Sequence, residues 1–299
     1  MILVVGATGM LGSQVCRRLA DRVIPFRALV RPSSDPAKIH ALREMGAEIV
    51  TGDLRDASGL EPAIAGADQL ICTVSSMPFS YVPGENDIAT TDHTGMKALI
   101  DAAVAAGVDR FTYTSFTGGI ALDFPLARAK RETEAVLITS GMDWTILRPS
   151  YFMDVWLTPA VGFDPANARA TVYGTGAEPI SWIAIKDVAE LAVRTTLDPA
   201  GAHSILELGG PEALTPLQVV RLYESLMGRT FIVTHIPDDA LAAQQHAQSD
   251  PMQQSFTALM RCYAQGDPID MTRTLRSWPV VLTSVAEHAR QTMPAVAPA

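Results

Sequence analysis

Three glycines, Gly6, Gly9 and Gly12, stand directly behind a four-residue apolar run, Ile2-Leu3-Val4-Val5. That junction limits the folds open to the chain more than any other feature. A run this apolar suits a strand covered on both faces, as in a parallel sheet. Leu11, Val15 and Leu19 follow at four-residue spacing and make one stripe of a helix over residues 11–21. The turn between strand and helix has a mechanism. One glycine permits the tight turn, one lets the backbone approach a pyrophosphate, and one lets helix and strand pack closely. The helix then offers its first N–H groups, and the positive end of its dipole, to phosphate oxygens.

The same alternation continues down the chain. Strands are predicted at Phe26–Val30, Ala47–Thr51, Gln69–Val74, Phe111–Ser115 and Trp144–Leu147. Helices are predicted at Pro36–Met45, Ala57–Ile64, Asp87–Ala106 and Leu126–Thr139, with residues 76–86 as a loop. Strands alternating with helices imply parallel pairing and right-handed crossovers. Beyond residue 150 the alternation loosens: 171–175 and 204–208 read as strands, while 186–197, 215–227, 239–247 and 251–264 read as helices. The expected class is α/β, a Rossmann-type doubly wound parallel sheet with a smaller C-terminal α+β substrate lobe. Its expected division is residues 1–150 for the cofactor and 151–299 for the substrate, with an interleaved boundary. The Pro- and Ala-rich end, Met293 to Ala299, is expected to fray.

The end of the second strand bears on which dinucleotide is held. A site for NAD usually places Asp or Glu roughly 20 residues past the glycines, on the ribose 2′-hydroxyl. Here the position belongs to Arg31, in Val30-Arg31-Pro32-Ser33-Ser34. A guanidinium can pair with a 2′-phosphate, and Ser33 and Ser34 can add hydrogen bonds. The expected cofactor is NADP(H).

Composition removes other classes. A net charge of -9 argues against a general nucleic-acid binder, which needs clustered Lys and Arg. Apolar residues at 48% and charged residues at 18% suit a large buried core. The three cysteines, Cys16, Cys72 and Cys262, are scattered, as expected of buried thiols in a reducing cytoplasm. The chain opens on a strand with no basic leader, and no apolar run approaches the roughly 18 residues of a membrane span. No His or Cys spacing suits a metal, and no G-x-S-x-G elbow of a hydrolase is present. The expected partner is a small-molecule substrate, with neither nucleic acid nor membrane, in a monomer or homodimer.

The residues resemble the atypical short-chain dehydrogenase/reductase superfamily, and its NmrA-like NAD(P)-binding group most of all. The likeness is strongest over residues 1–150. Gly6-Ala7-Thr8-Gly9-Met10-Leu11-Gly12 matches the cofactor loop, and Gly52-Asp53-Leu54 matches the acidic turn that meets the adenine. Thr73, Val74 and Ser75 match the strand end beside the adenosine ribose. Thr114-Ser115-Phe116 falls at the family's active-site serine or threonine, and Lys130 at its active-site lysine. Pro149, Tyr151 and Phe152 lie in the segment whose backbone contacts the nicotinamide end. The resemblance implies Thr8, Met10, Leu11, Asp53, Leu54, Thr73, Val74, Ser75, Thr114, Lys130, Pro149, Tyr151 and Phe152 as cofactor residues, beside the glycines, Arg31 and Ser33.

One position departs from the pattern. Members with Y-x-x-x-K carry a tyrosine four residues before the lysine; here Leu126 stands there. That disfavours alcohol oxidation or sugar epimerisation of the standard type. Tyr81, in the loop with Met77, Pro78 and Phe79, and Tyr151 are the remaining hydroxyl candidates. Hydride transfer needs little acid/base machinery once the cofactor is placed. The expected catalytic residues are Lys130 and Ser115, steadying charge on a substrate oxygen. A solvated helix face is the plainer role for Lys130, and a turn cap for Ser115. Phe152, Met153, Val155, Trp156 and Leu157, with Met252, Phe256, Leu259 and Met260, read as core or as an apolar substrate cleft. The expected function is an NADPH-dependent reductase of a small apolar carbonyl, quinone or enone. The alternative is a non-catalytic NADP(H)-binding redox sensor or assembly protein.

Overall fold

The computed structural model describes residues 1–77, 80–119 and 121–293. The first strand, β1 (Ile2–Val5), is buried along its whole length, and α1 (Met10–Asp21) turns Leu11, Val15, Cys16 and Leu19 inward. Next come β2 (Phe26–Val30), α2 (Pro36–Glu44), β3 (Glu48–Thr51), α3 (Ala57–Ile64) and β4 (Gln69–Cys72). Asp35 and Asp56 cap α2 and α3 by accepting from Ala37 N and Ser58 N, as acidic residues do at helix starts. After α4 (Met96–Ala105), the chain forms β5 (Arg110–Thr114), α5 (Pro125–Ile138) and β6 (Asp143–Pro149). Then follow α6 (Met153–Trp156), β7 (Phe163–Asp164), β8 (Arg169–Tyr173), α7 (Ile185–Leu197) and β9 (Ser204–Leu208). Last are α8 (Pro216–Met227), β10 (Ile232–Ile236), α9 (Asp238–Ala247), α10 (Pro251–Gln265), α11 (Thr272–Ser277) and α12 (Val285–Thr292).

Seven strands form one sheet in the order β3-β2-β1-β4-β5-β6-β9, and the pairings from β3 through β6 are parallel. This is the doubly wound order: the chain reverses direction of travel between β1 and β4, opening a crevice at the carboxyl ends of those strands. A second sheet runs β10-β8-β7, with β10 parallel to β8 and β7 antiparallel to it. The sequence pattern did not separate β10: its residues are mostly exposed or half-buried and lack a clear apolar face. The strand expected at 171–175 lies two residues earlier, at Arg169–Tyr173.

One helix departs from expectation in kind. The predicted span Asp87–Ala106 is not a single α-helix. Ile88–Gly95 is π-helical, and α4 begins only at Met96. Asp87 and Thr90 close a capping box at its start. At Gly95 a Cβ would lie 2.7 Å from Thr90 O and 2.9 Å from the Leu54 Cβ, so the wide turn approaches its neighbours only because the residue is glycine. Wide helical turns of this sort cost packing and commonly accompany functional residues.

The chain divides into two compact units. One comprises Met1–Phe116, Asp123–Arg148 and Val188–Leu206; the other comprises Thr117–Leu122, Pro149–Asp187 and Glu207–Ala299. The first unit centres on Leu3, Val5, Leu70, Ile100, Phe111, Tyr113 and Ile146. Inside the second, Tyr151, Trp156, Tyr173, Trp182 and Tyr263 form a ring-against-ring cluster with centroids 4.9–6.5 Å apart. No helix among the described residues is long and apolar enough to cross a membrane.

Candidate functional site

Gly6 ends β1 with φ +87, a left-handed backbone that glycine adopts without strain. A Cβ on Gly12 would lie 2.1 Å from Gly6 O, so the first turn of α1 can close onto the strand only with glycine there. Gly9 N donates to Gly6 O at 2.9 Å and finishes the turn. Gly9 is also the N-cap of α1, and no side chain among the described residues caps that end. The first-turn amides around Met10 and Leu11 therefore look out from the β1–β4 crevice toward whatever anion comes there. Thr8 is half-buried, Met10 exposed and Leu11 buried.

Thr73 fixes the loop from the other side of the crevice. Its Oγ1 donates to Val5 O at 3.3 Å and to Gly6 O at 3.4 Å. Its neighbour Val74 offers a carbonyl that accepts from Lys130 Nζ at 3.0 Å. Val74 and Ser75 are half-buried. A chain of contacts thus runs from α5 through the end of β4 to the glycine turn.

Arg31 stands at the end of β2, half-buried, its backbone tied into a turn by Ser34 Oγ at 3.0 Å. Its guanidinium enters no ion pair among the described residues. Ser33 is exposed beside it. Asp53, after β3, accepts from Arg55 through both oxygens, at 3.0 and 2.7 Å. That bond, aided by the field of Arg31, holds the Asp53 carboxyl below its ordinary range. Arg31 and Asp53 are thus brought together, with buried Leu54 behind them.

Lys130 is not on a solvated helix face. It is 3% exposed, whereas Arg128, two residues earlier on α5, lies outside. Its ammonium pairs with Asp92 Oδ1 at 3.2 Å and sits 5.2 Å from the centre of the Tyr113 ring. Burial alone would push the ammonium down; Tyr113 and Asp92 outweigh it, and the net shift is upward. Asp92 comes from the π-helical segment and is fully buried. Its other oxygen accepts from Ser76 N at 3.0 Å and Ser76 Oγ at 2.5 Å. Asp92, Ser76 and Tyr113 were not singled out from the sequence. Their signal is weak there, since Asp92 reads as one more polar residue on a long helix.

Ser115 is buried, and its N–H extends the ladder to Leu147 O at 2.8 Å. Its hydroxyl accepts from Arg131 Nη1 at 3.4 Å, within a second charged group. There Glu134 takes Arg131 at 2.5 Å and Arg148 at 2.6 Å. Burial would raise Glu134, but the Arg148 hydrogen bond, with Ser115 and Arg131, holds it low. Lys130 and Ser115 therefore meet different charged neighbours along α5. The buried Thr114 hydroxyl has no hydrogen-bond partner among the described residues.

The remaining candidates lie in the second unit. Pro149 O accepts from Thr117 N at 3.0 Å, and the Tyr151 and Phe152 backbones join Ile183. The Tyr151 hydroxyl donates to Leu259 O at 3.2 Å, inside the aromatic cluster, and burial pushes it well above the usual phenol range. Trp156 stacks on Phe256 at 6.4 Å in the same unit. Tyr81 is half-buried in its loop; Pro78 and Phe79 lie outside the described residues, as do residues 294–299. The three thiols are buried, and burial pushes each up to about 12.

The sheet order and the glycine turn define a doubly wound protein with a glycine-opened helix N-terminus at its switch point. The chain belongs to the NmrA-like family, whose model matches residues 1–287. It is 31% identical to the NAD(P)H azoreductase of Xenophilus azovorans, over 94% of this chain and 92% of that protein. It is 31% identical to the photosystem II assembly factor Ycf39 of Cyanophora paradoxa, over 79% of this chain and 71% of that one. Among solved structures it resembles the NADPH complex of the Escherichia coli quinone oxidoreductase QOR2. The TM-score is 0.79 and the identity 26%, covering 97% of this chain and 99% of that one.

Proposed function

We propose that this chain is an NADPH-dependent reductase that delivers a hydride to a small apolar carbonyl, quinone or enone. The observation that carries the reading is the α1 N-terminus, uncapped by any side chain among the described residues and opened by Gly6 and Gly12 onto the β1–β4 crevice. Arg31, without an ion-pair partner among the described residues, suits the 2′-phosphate of NADP(H). When bound, the reduced nicotinamide supplies the hydride. The family and the 31% identical azoreductase support the same chemistry.

In this reading Gly6, Thr8, Gly9, Met10, Leu11 and Gly12 hold the pyrophosphate. Arg31 and Ser33 hold the 2′-phosphate. Asp53 and Leu54 border the adenine; Thr73, Val74 and Ser75 border its ribose. Asp92 and the Val74 carbonyl take two of the three N–H donors of Lys130, and in this reading the third would meet a ribose hydroxyl. Thr114, Pro149, Tyr151 and Phe152 border the nicotinamide end, and Ser115 steadies the substrate oxygen. A second reading, an NADP(H)-binding assembly or sensor protein, is favoured by the 31% identical Ycf39 and by the charged neighbours already engaging Lys130 and Ser115.

NADPH oxidation across a panel of quinones and enones decides between them. The reductase turns over at least one acceptor and loses most of that rate in Ser115→Ala, with NADPH affinity retained. Tight binding of both cofactor forms with no turnover on any acceptor supports the second reading instead.

A further inference from the structure

Ser76 and Lys130 present only donors to the carboxylate of Asp92. Oδ2 accepts from Ser76 N at 3.0 Å and from Ser76 Oγ at 2.5 Å, and Oδ1 pairs with the Lys130 ammonium at 3.2 Å. Ser76 and Asp92 are fully buried, and Lys130 is nearly so. The backbone carrying Asp92 is held from α5, where Thr133 Oγ1 donates to Asp92 O at 3.2 Å. A neutral amide does not suit this place. Asn has one oxygen, and its NH2 would face either Ser76 or Lys130, donor against donor. The buried ammonium also needs a buried negative partner.

Both arms of the carboxylate end on the same short stretch. One holds Ser76 directly. The other holds Lys130, whose Nζ donates to Val74 O at 3.0 Å. That stretch is packed on the glycine turn. A Cβ on Gly6 would lie 2.7 Å from Thr73 Oγ1 and 3.2 Å from both Val74 N and Val74 Cγ2, and a Cβ on Gly12 would lie 2.8 Å from Thr73 Oγ1. Contacts this close transmit a displacement, because a packed interior has no slack to absorb it. Residues 73–76 therefore cannot shift without disturbing Gly6. Asp92 itself sits in the wide turn Ile88–Gly95, and such turns commonly accompany functional residues.

We propose that Asp92 is a positioning residue for the dinucleotide: through Ser76 and through Lys130 it fixes residues 73–76 against the glycine turn, and so sets cofactor affinity. The proposal deepens the reductase reading and rests on it for where the dinucleotide lies. Asp92 acts through the strand end and the turn, with no contact of its own to the cofactor. The pyrophosphate and the adenosine ribose ring are common to NADPH and NADH, so the two nucleotides share this dependence on Asp92. Arg31, by contrast, bears only on the 2′-phosphate.

The test measures NADPH and NADH binding to the full chain by calorimetry, at a temperature where circular dichroism shows each variant folded. Asp92→Asn should weaken both nucleotides about tenfold, a loss the size of one hydrogen bond to a charged group. Ser76→Ala keeps its N–H on Oδ2 and should weaken both about threefold; this milder variant decides the matter if Asp92→Asn does not fold. The double variant should lose no more than Asp92→Asn alone, since the Ser76 hydroxyl acts through that carboxylate. With a quinone that the enzyme accepts, Asp92→Asn should raise KM for NADPH about tenfold and lower kcat by less than about threefold. Wild-type affinity in the folded variants, with only the Tm lowered, marks a structural role and overturns the proposal. So do losses that add in the double variant, and so does a loss confined to NADPH. The NADPH-oxidation panel stands apart from these measurements. Failure there with the cofactor losses intact removes the reductase reading and keeps the role of Asp92, whereas absence of wild-type binding to either nucleotide overturns both.

Discussion

Two cations were marked in the sequence, and the fold treats them in opposite ways. Arg31 ends β2 half-buried, with its guanidinium in no ion pair among the described residues. Lys130 is sealed on α5 against Asp92, the Val74 carbonyl and the Tyr113 ring. One charge is left without an ionic partner among the described residues; the other is largely consumed in holding the protein. The contrast follows from the cost of burying charge. A buried ammonium needs a buried partner, whereas a surface guanidinium stays hydrated until an anion arrives. A residue can therefore match a family's active-site position and still do most of its work as a tether on the strand end beside the glycine turn.

Removing the partner of Lys130 should break the contrast most severely. Asp92→Ala leaves a buried ammonium unpaired and is expected to destabilise the chain by about 3–5 kcal/mol. Urea unfolding measures this, and a loss below about 1 kcal/mol would mean that Lys130 escapes to water. Next in size is Arg31→Ala. It should weaken NADPH by about 1.5–3 kcal/mol, the strength of a hydrogen bond to a charged group, and leave NADH unchanged. Calorimetry with both cofactors tests it; equal losses would show that the guanidinium meets no 2′-phosphate.

The smallest effect concerns the carboxylate near Arg31. Asp53→Asn removes a partly exposed pair with Arg55 and should cost less than about 1 kcal/mol. The sign with pH is fixed. The folded-state value of Asp53 is lowered, so its contribution is fully present above the ordinary Asp range and fades as pH falls through the lowered value. The Tm gap between wild type and variant should therefore close in acid. A gap that widened in acid would reverse the assignment.

Much of the first unit was readable because its signals are local. The glycine spacing, the alternating apolar runs and Arg31 at the end of β2 each depend on neighbours within a few residues, and outside the span Asp87–Ala106 the elements formed close to their expected places. Other features depend on distant partners. The Asp92 pair with Lys130 joins residues 38 apart in sequence, and the Thr117–Asp267 bond joins residues 150 apart. The exposed strand β10 carries no apolar alternation to announce it.

The sequence by itself determined the doubly wound sheet, the glycine cradle and the absence of a carboxylate where Arg31 stands. Backbone freedom and hydrophobic period are written into adjacent residues, and they decide turns and strands directly. Only the tertiary structure decided which charges are hidden. Burial, and with it the state of Lys130, Asp92, Glu134 and Asp267, is set by chain segments that meet in space and are far apart along the chain.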